Sequence, residues 1–269
     1  RTIRIRGASS ISLSNQPLVF IDGVRYADGV TDLGTNGQRT DRLNDLNPDD
    51  IESVEIVKGP AAATLYGADA STGVIQIITK KGRTGANSFQ QSIRTEYGNV
   101  NRNFTPPDNY GLCTQALVAD NSTNPLCKGQ EVGTLVHDNP LLRTGAFRTG
   151  SDLALGWTGR GGGQNYGYFL SGGTDRNIGV LPNNEFQRLA GRVNFNWIPN
   201  AKLTLESGAS MIQSTSDLPD NDNNIYGFLG GALLGSPLTR RDDGVPSNNG
   251  WFGFNRSVDA ISAIQNQLV

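Results

Sequence analysis

The chain of 269 residues is long enough for one large domain or two modest ones. Its 34 glycines predict many turns and strands rather than long helices, and a formal net charge of −2 at pH 7 gives no reason to expect a nucleic-acid partner. No run of about 18 consecutive apolar residues is present, which excludes a transmembrane helix. Membrane-spanning strands need no such run, because their apolar residues alternate with polar ones.

The first 45 residues predict short strands and a loop. Ile3 and Ile5 alternate with arginines, which is the period of a half-buried strand. The apolar run 18–21 follows a proline and precedes an Asp-Gly pair, so it predicts a short buried strand that ends in a turn. Residues 25–45 are polar and rich in glycine, and we expect them to form a loop.

The next segment predicts a capped turn, a strand, a small helix and a second strand. Asn47 is a good N-cap, followed by a proline and two acids, so a brief helical turn should begin there. Residues 54–58 continue as a strand. The alanines of 61–66 favour a helix that stops at a glycine, and the β-branched run 74–79 predicts the closing strand.

From residue 88 onward, apolar and polar side chains alternate in five long stretches. The apolar positions are Phe89, Ile93 and Tyr97; Leu153, Leu155 and Trp157; Tyr166, Tyr168 and Leu170; Leu189, Val193, Phe195 and Trp197; and Leu203, Leu205, Ala209 and Met211. Mainly polar residues, with Ala154, occupy the opposite face, and Phe169 interrupts it. Such strands fit a wall with lipid on one side and water on the other, although a soluble sandwich with one solvated face alternates in the same way.

The predicted connections between these strands alternate in length. The links at 99–150, 177–185 and 216–269 are longer than the turns at 158–164 and 198–201. Membrane barrels alternate short turns on one side with longer loops on the other, so this order favours a membrane-spanning sheet. Five strands do not close a barrel, because even the smallest membrane barrels need about 8.

The residue types that carry enzyme chemistry are sparse. Cys113 and Cys127 lie in one polar segment and either close a short disulfide loop or remain unpaired loop thiols. His137 is the only histidine, and with two cysteines it does not make a recognisable zinc site. Glu52 and Glu55 fall on opposite faces of the predicted strand, which argues against a catalytic carboxylate pair.

The last predicted loop holds two further features. Asp217, Asp220 and Asp222 lie beside two asparagines, and such an oxygen-rich loop either binds calcium or is a solvated acidic loop. Its spacing departs from that of an EF-hand, and no other metal site is predicted. Residues 257–269 carry apolar side chains at roughly helical spacing behind Ser257 as a cap.

One continuous segment carries a resemblance to a known family. Residues 46–82, preceded in the expected order by 5–10 (Ile-Arg-Gly-Ala-Ser-Ser) and 17–24 (Pro-Leu-Val-Phe-Ile-Asp-Gly-Val), resemble the plug domain of SusC/RagA-like TonB-dependent outer-membrane transporters. The resemblance implies an α+β plug domain over 1–82, followed over 83–269 by antiparallel transmembrane β-barrel strands that form part of a 22-stranded barrel. We therefore expect the chain to be part of a longer protein.

The resemblance also implies a function and its partners. Members of the family import glycans, oligosaccharides or peptides across the outer membrane of a Gram-negative bacterium, without enzymatic chemistry or a cofactor. A SusD-like lipoprotein closes the outer side as a lid, and the TonB–ExbB–ExbD complex supplies energy from the inner membrane. The oxidising compartment favours the disulfide between the two cysteines. A surface receptor that senses or adheres without transport, and a soluble enzyme with a β-rich domain, are the alternatives.

Two sets of site residues follow from the resemblance. The outward plug loops of related transporters touch substrate, and by position these carry Asp32, Arg39, Arg42 and Tyr66. Tyr66 offers a ring and a hydroxyl to a sugar, or it only packs the short helix onto the plug. Polar contacts between plug and barrel are expected to join Glu52, Glu55 and Lys58 to Arg94, Arg188 and Arg192.

Overall fold

The computed structural model describes residues 3, 5, 16–26, 31–32, 39–40, 42–85, 87–219, 228–241 and 250–252. Two sheets dominate this part of the chain. A four-stranded sheet lies between residues 18 and 79, and a five-stranded antiparallel sheet lies between residues 89 and 217. We call the described residues up to Lys80 the N-terminal unit.

The N-terminal unit is an α+β structure. In chain order its elements are β1 (Leu18–Ile21), β2 (Val24–Tyr26), β3 (Thr31–Asp32), β4 (Arg39–Thr40), 3₁₀ helices at Arg42–Asp45 and Pro48–Asp50, β5 (Ile51–Val57), α1 (Gly59–Tyr66), a 3₁₀ helix at Ala68–Thr72, and β6 (Val74–Thr79). The sheet order is β2-β1-β6-β5, in which β1 and β6 are parallel and the other pairs are antiparallel. β3 and β4 pair only with each other.

The predicted loop over 25–45 is wrong in part, because it contains short strands and a 3₁₀ helix. β2 forms because Asp22 and Gly23 both have positive φ, 49° and 83°, which is the geometry of a tight two-residue hairpin turn. The turn pairs Ile21 with Val24 and so adds β2 to the edge of the sheet. Ile3 and Ile5 are in no strand, contrary to the prediction, but pack against the core of the sheet.

Both faces of the four-stranded sheet are covered, which explains why its central strands are almost wholly apolar. Leu18 and Val74 pack with the alanines Ala62 and Ala70 on the face below α1. Val19, Ile75 and Ile77 form the core of the other face. α1 ends where it was predicted to end, because Gly67 has a φ of 86° that L-residues rarely adopt.

The five-stranded sheet confirms the five predicted strands. They are β7 (Phe89–Val100), β10 (Gly150–Gly162), β11 (Tyr166–Ile178), β12 (Glu185–Asn200) and β13 (Leu203–Asp217), in the order β13-β12-β11-β10-β7. The short turns at 163–165 and 201–202 are tighter than predicted. Glycines at 159–162 suggested a turn, but pairing on both sides extends β10 through them.

The two faces of this sheet differ in chemistry as the alternation predicted. The apolar side chains lie on one face, which we call the outward face, and they remain exposed: Ile93 is 74 % exposed and Tyr97 is 73 % exposed. The opposite, inward face is polar and contacts the N-terminal unit. No second sheet of the described residues covers the outward face, so the structure does not have the buried apolar layer of a soluble sandwich.

The link between β7 and β10 is folded rather than irregular. It contains β8 (Asn109–Leu112), α2 (Gln115–Val118), β9 (Leu135–Asp138) and α3 (Pro140–Arg143), and β8 pairs with β9. The structure joins Cys113 to Cys127 in a disulfide, with 5.4 Å between the Cα atoms. The predicted loop at 99–150 therefore contains regular structure.

This link packs against residues that follow β13, including α4 (Phe228–Leu233) and a 3₁₀ helix at Pro237–Thr239. Leu141, Ala146, Ala232 and Trp251 form a separate buried core. We call residues 101–149, 228–241 and 250–252 the loop unit.

A buried asparagine connects the two segments of the loop unit. The Asn124 side chain is 2 % exposed and its Nδ2 donates to the carbonyl oxygens of Pro237 (2.9 Å) and Leu238 (3.0 Å). Its Oδ1 accepts from the amides of Leu126 (2.9 Å) and Cys127 (3.0 Å). One side chain therefore holds the disulfide turn against a segment more than 100 residues away.

Several expectations lie partly or wholly outside the described residues. Asp220, Asp222 and the tail 257–269 are among these, and Asp217 ends β13. Within the described part of the chain, no group of three metal-ligating side chains occurs. No helix there has the length and apolar character that crossing a membrane would require. The His137 side chain is 65 % exposed, and its Nδ1 lies 2.9 Å from Oδ2 of Asp108.

We predict that Asn124→Ala destabilises the loop unit by about 2–4 kcal/mol, because it leaves buried carbonyl and amide groups without partners. Faster hydrogen exchange at the amides of Leu126 and Cys127 is the measurement. Asn121→Ala is the matched control, since Asn121 is exposed. Equal exchange in both variants would contradict a structural role for Asn124.

Candidate functional site at the interface of the two sheets

The turn before β5 presents two consecutive carboxylates to the inward face of the five-stranded sheet. Asn47 caps it: its Oδ1 accepts from the amide of Asp49 at 3.1 Å, and Pro48 occupies the first position. The amide of Asp50 donates to the Asn47 carbonyl at 3.1 Å. This closed turn is short and rigid, so it fixes the direction of both acidic side chains.

The two carboxylates bind arginines from different strands of the sheet. Oδ2 of Asp49 lies 3.3 Å from Nη1 of Arg94 on β7, and Oδ2 of Asp50 lies 3.3 Å from Nε of Arg192 on β12. The second pair is almost fully buried, with 9 % of the Asp50 side chain and 10 % of the Arg192 side chain exposed. In such surroundings an ion pair is worth more than on the surface, and breaking it is costly.

The buried pair of Asp50 and Arg192 leaves one hydrogen-bonding atom without a partner in the part of the chain that the structure describes. Oδ1 of Asp50 accepts no hydrogen bond from the described residues. Arg192 also lies 3.8 Å from Oδ2 of Asp22, so it is shared between two carboxylates. Burying charges costs several kcal/mol, which mutual attraction offsets fully only when every lone pair is satisfied. The interface therefore selects particular partners, but it does not hold the two units together strongly.

Arg188 adds to the contact between the turn and the sheet through a neutral acceptor, a backbone carbonyl. Its Nη1 donates to the Leu46 carbonyl at 2.7 Å, and its Nη2 donates to Oδ2 of Asp175 on β11 at 2.6 Å. Asp175 thus holds the Arg188 guanidinium in place on the inward face, while Nη1 of Arg188 reaches the turn. Arg188 is 8 % exposed, so this contact is also shielded from water.

A second set of contacts with the five-stranded sheet lies where the chain leaves β6. Asp22 accepts from the amide and the hydroxyl of Thr79 (2.9 and 2.6 Å). Nδ2 of Asn194 donates to the Lys80 carbonyl at 2.7 Å. Lys81 pairs with Glu206 at 2.8 Å, although both side chains are about half exposed and this pair contributes little. The chain between the two units is therefore attached to β12 and β13 along its backbone.

Only part of the predicted set of polar contacts lies at this interface. Arg94, Arg188 and Arg192 do contact the N-terminal unit, as described above. Glu52 lies 3.3 Å from Arg160 on β10, a residue that the sequence analysis did not select. Glu55 and Lys58 are exposed and form no salt bridge with the described residues, so their pairing with arginines of the barrel interior stays a prediction. The turn that precedes β5 and the start of β5, at Glu52, contact the five-stranded sheet.

The sequence analysis missed the residues that make the interface. Asp22, Asp49 and Asp50 were seen only as turn residues, since acids commonly follow a helix N-cap. Two consecutive acids in a capped turn are also a signal for a partner, because the cap itself needs neither carboxylate. Their arginine partners lie more than 40 residues away in sequence, so no local pattern identifies them.

The predicted substrate residues lie elsewhere in the N-terminal unit. The Tyr66 ring packs against Phe20 with 4.9 Å between the ring centroids and a tilt of 44°, and its hydroxyl lies 3.4 Å from Oε1 of Gln76. This geometry fits the packing alternative, and contact with cargo stays a prediction. Asp32 and Arg39 are register partners of β3 and β4, and Arg42 begins a 3₁₀ helix. The side chains of these three residues lie outside the described part of the structure.

Comparison with known proteins gives consistent matches. The profile of the TonB-dependent receptor plug domain matches residues 1–74. The TonB-dependent receptor SusC of Bacteroides thetaiotaomicron is 31 % identical over 197 residues, which cover 71 % of this chain and 18 % of SusC. TonB-dependent receptor P26 of Formosa agariphila is 40 % identical over 91 residues, or 34 % of this chain and 8 % of that receptor. The chain therefore spans less than a fifth of these relatives.

A solved structure shares the fold. The RagAB peptide importer in its closed-closed state superimposes with a TM-score of 0.65 at 23 % identity, over 88 % of this chain and 28 % of the RagAB chain. This likeness extends beyond the plug match into the five-stranded sheet, because it covers most of the chain.

We predict that Asp50→Asn weakens the attachment of the N-terminal unit by about 3–5 kcal/mol, because it leaves the guanidinium of Arg192 buried without its nearest charge partner. Hydrogen exchange at the amide of Lys80, which donates to the Asp50 carbonyl, should accelerate. Glu55→Gln removes a carboxylate from the exposed part of β5 and should leave exchange unchanged. Similar rates in the two variants would show that the buried pair does not hold the units together.

Proposed function

The chain belongs to the SusC/RagA-like family of TonB-dependent transporters, and on that premise we propose that it supplies the plug and the first wall strands of an outer-membrane importer. The plug would comprise residues 1–82, and residues 83–269 would belong to the barrel, with outer loops at 99–150, 177–185 and 216–269. Since the chain covers 18 % of SusC, import is a proposal for the whole protein.

One observation carries the proposal: the N-terminal unit sits on the polar face of a sheet whose other face is apolar and exposed. From Trp197 to Leu189 the outward positions of β12 are apolar or glycine over eight residues, or about 27 Å along a strand. With the tilt of membrane strands this corresponds to roughly 20 Å across the membrane, close to the apolar band of outer-membrane barrels. Aromatic residues at the end of this band, including Tyr166 and Trp197, fit an interfacial girdle.

The geometry of the interface suits a plug that must move. The charged contacts fix one seated position of the plug. Pulling from the periplasm by TonB would exchange the carboxylate–guanidinium contacts for water, so the cost of opening is limited. The mechanism is binding and gated passage without covalent chemistry.

The cargo class and the partners are inferred from the relatives. The structural relative RagAB is described as a peptide importer, and the family resemblance of residues 46–82 implies glycans, oligosaccharides or peptides. We propose cargo of this range, a SusD-like lipoprotein lid on the outer side, and the TonB–ExbB–ExbD complex in the inner membrane. Asp32, Arg39, Arg42 and Tyr66 remain proposed cargo contacts on the outer loops of the plug.

We predict that Leu155→Arg reduces the amount of folded protein in the outer membrane. A charge at the middle of a lipid-facing strand costs about 2–4 kcal/mol. The measurement is the heat-modifiable, folded fraction in isolated outer membranes. Ser92→Arg puts the same side chain on the inward face of the neighbouring strand and should insert normally. If both variants insert equally, the outward face does not contact lipid.

A reversible lock tests the plug movement. A Cβ at Gly156 would lie 3.1 Å from Oδ2 of Asp49, so Asp49→Cys with Gly156→Cys should form a disulfide between plug and wall. We expect uptake of a labelled oligosaccharide or peptide mixture to stop on oxidation and to return on reduction. The control pair is Thr95→Cys with Leu155→Cys, which joins register partners within the wall.

Three outcomes separate the candidate functions. Uptake blocked only by the plug–wall disulfide supports gated import, and the cargo that is taken up identifies the class. Uptake that continues through the locked protein contradicts plug movement. Cargo binding without any uptake, in the oxidised and the reduced protein alike, favours a surface receptor of the same architecture.

A further inference from the structure

A cleft of about 550 Å³ lies at the end of the five-stranded sheet farthest from the plug connection, where β7 ends and β10 begins. Residues 101–105 and 147–149 line it. The lining combines two arginines and two phenylalanines with asparagine and threonine side chains. It is separate from the interface described above, and none of the proposed import steps uses it.

The two arginines of the cleft are held by neutral groups. Nη1 of Arg102 donates to the Phe104 carbonyl at 2.6 Å, and its guanidinium stacks over the Phe147 ring at 5.3 Å. Arg148 donates to the carbonyls of Gly179 (3.1 Å) and Asn184 (3.4 Å). Among the described residues neither guanidinium forms a salt bridge, although four of the arginines on the inward face have carboxylate partners. The lining residues include no carboxylate, so they do not neutralise the positive charge of the cleft; outside the lining, the Glu185 carboxylate, which is paired with Arg176, interacts electrostatically with Arg148.

The position of the cleft indicates where an anion bound by its arginines would come from. Tyr97, the last large apolar side chain of the outward face on β7, precedes the lining by only four residues. Arg176 also lies on the outward face at this height, paired with Glu185, and Asn184 next to it accepts from Arg148. The arginines thus stand where the apolar band gives way to polar residues, which is the level of lipid headgroups.

We propose that this cleft binds a phosphate group of an outer-leaflet lipid headgroup. Guanidinium groups bind phosphate through two parallel hydrogen bonds, and the asparagine and threonine side chains supply further donors. The two phenylalanines pack edge to face at 6.0 Å and border the cleft, so they can contact the glucosamine rings or upper acyl carbons of a lipopolysaccharide. The site rests on the proposed membrane insertion but not on import.

The experiment uses the intact protein, extracted from the outer membrane into detergent, and lipopolysaccharide as the probe. Arg102→Gln with Arg148→Gln should raise the Kd at least about tenfold, since charged hydrogen bonds to phosphate are lost. Lipopolysaccharide treated with phosphatase should bind the unchanged protein equally weakly. The matched control, Arg83→Gln with Lys202→Gln, removes two exposed charges at the opposite end of the sheet and should keep the original Kd.

Three results would overturn the proposal: equal Kd values for the two double variants, undiminished binding of the phosphatase-treated lipid, or displacement of the lipid by inorganic phosphate at equal concentration. The last would assign the cleft to free phosphate. Arg102→Lys with Arg148→Lys retains both charges, and its Kd should stay within a few-fold of that of the original protein. This control separates the loss of charge in the glutamine variant from misfolding caused by substitution at these positions. Fractionation before extraction reports membrane insertion separately, and cargo uptake is measured independently.

Discussion

The buried contact between Asp50 and Arg192 is the constraint on which the arrangement of the two units depends. It joins a three-residue turn of the N-terminal unit to the inward face of the sheet, and both side chains are about nine-tenths buried. Because Asn47 closes the turn from one side and β5 continues from the other, the carboxylate has little freedom to find another partner. The neighbouring contacts of Asp49 and Leu46 then follow from the position of the same turn.

A charged interface of this kind has a different role from an apolar core. The N-terminal unit has its own apolar cores, and separation at the turn would expose the charges of the Asp49–Arg94 and Asp50–Arg192 pairs to water, which solvates them. The unsatisfied Oδ1 of Asp50 leaves the contact short of its full strength. Under the proposed function, specific seating with a limited cost of release is what a movable plug requires, and this would explain why the sheet contributes arginines rather than leucines to these contacts.

Successive side chains of each strand point to opposite faces, so the two faces of the sheet differ in chemistry. The inward face carries the arginines that meet the plug, while the outward face carries the leucines and aromatics that remain exposed. The outer end of the sheet has yet another character. There the loop unit forms its own core around Trp251, and the arginines of the cleft lie next to the last apolar row of the outward face. The contact with the N-terminal unit, the exposed apolar face and the folded loop unit thus occupy three different regions of the sheet and its end.

The sequence by itself determined the local structure and the chemistry of the two faces. Alternation, the N-cap at Asn47, the stop at Gly67 and the motif of residues 46–82 act over a few residues, so they can be read without coordinates. Only the tertiary structure decided which acids meet which arginines, that Glu55 and Lys58 meet none within the described residues, and that the outer loops fold together. These contacts join residues that are tens to more than 100 positions apart, and their choice depends on where each rigid element brings its side chains.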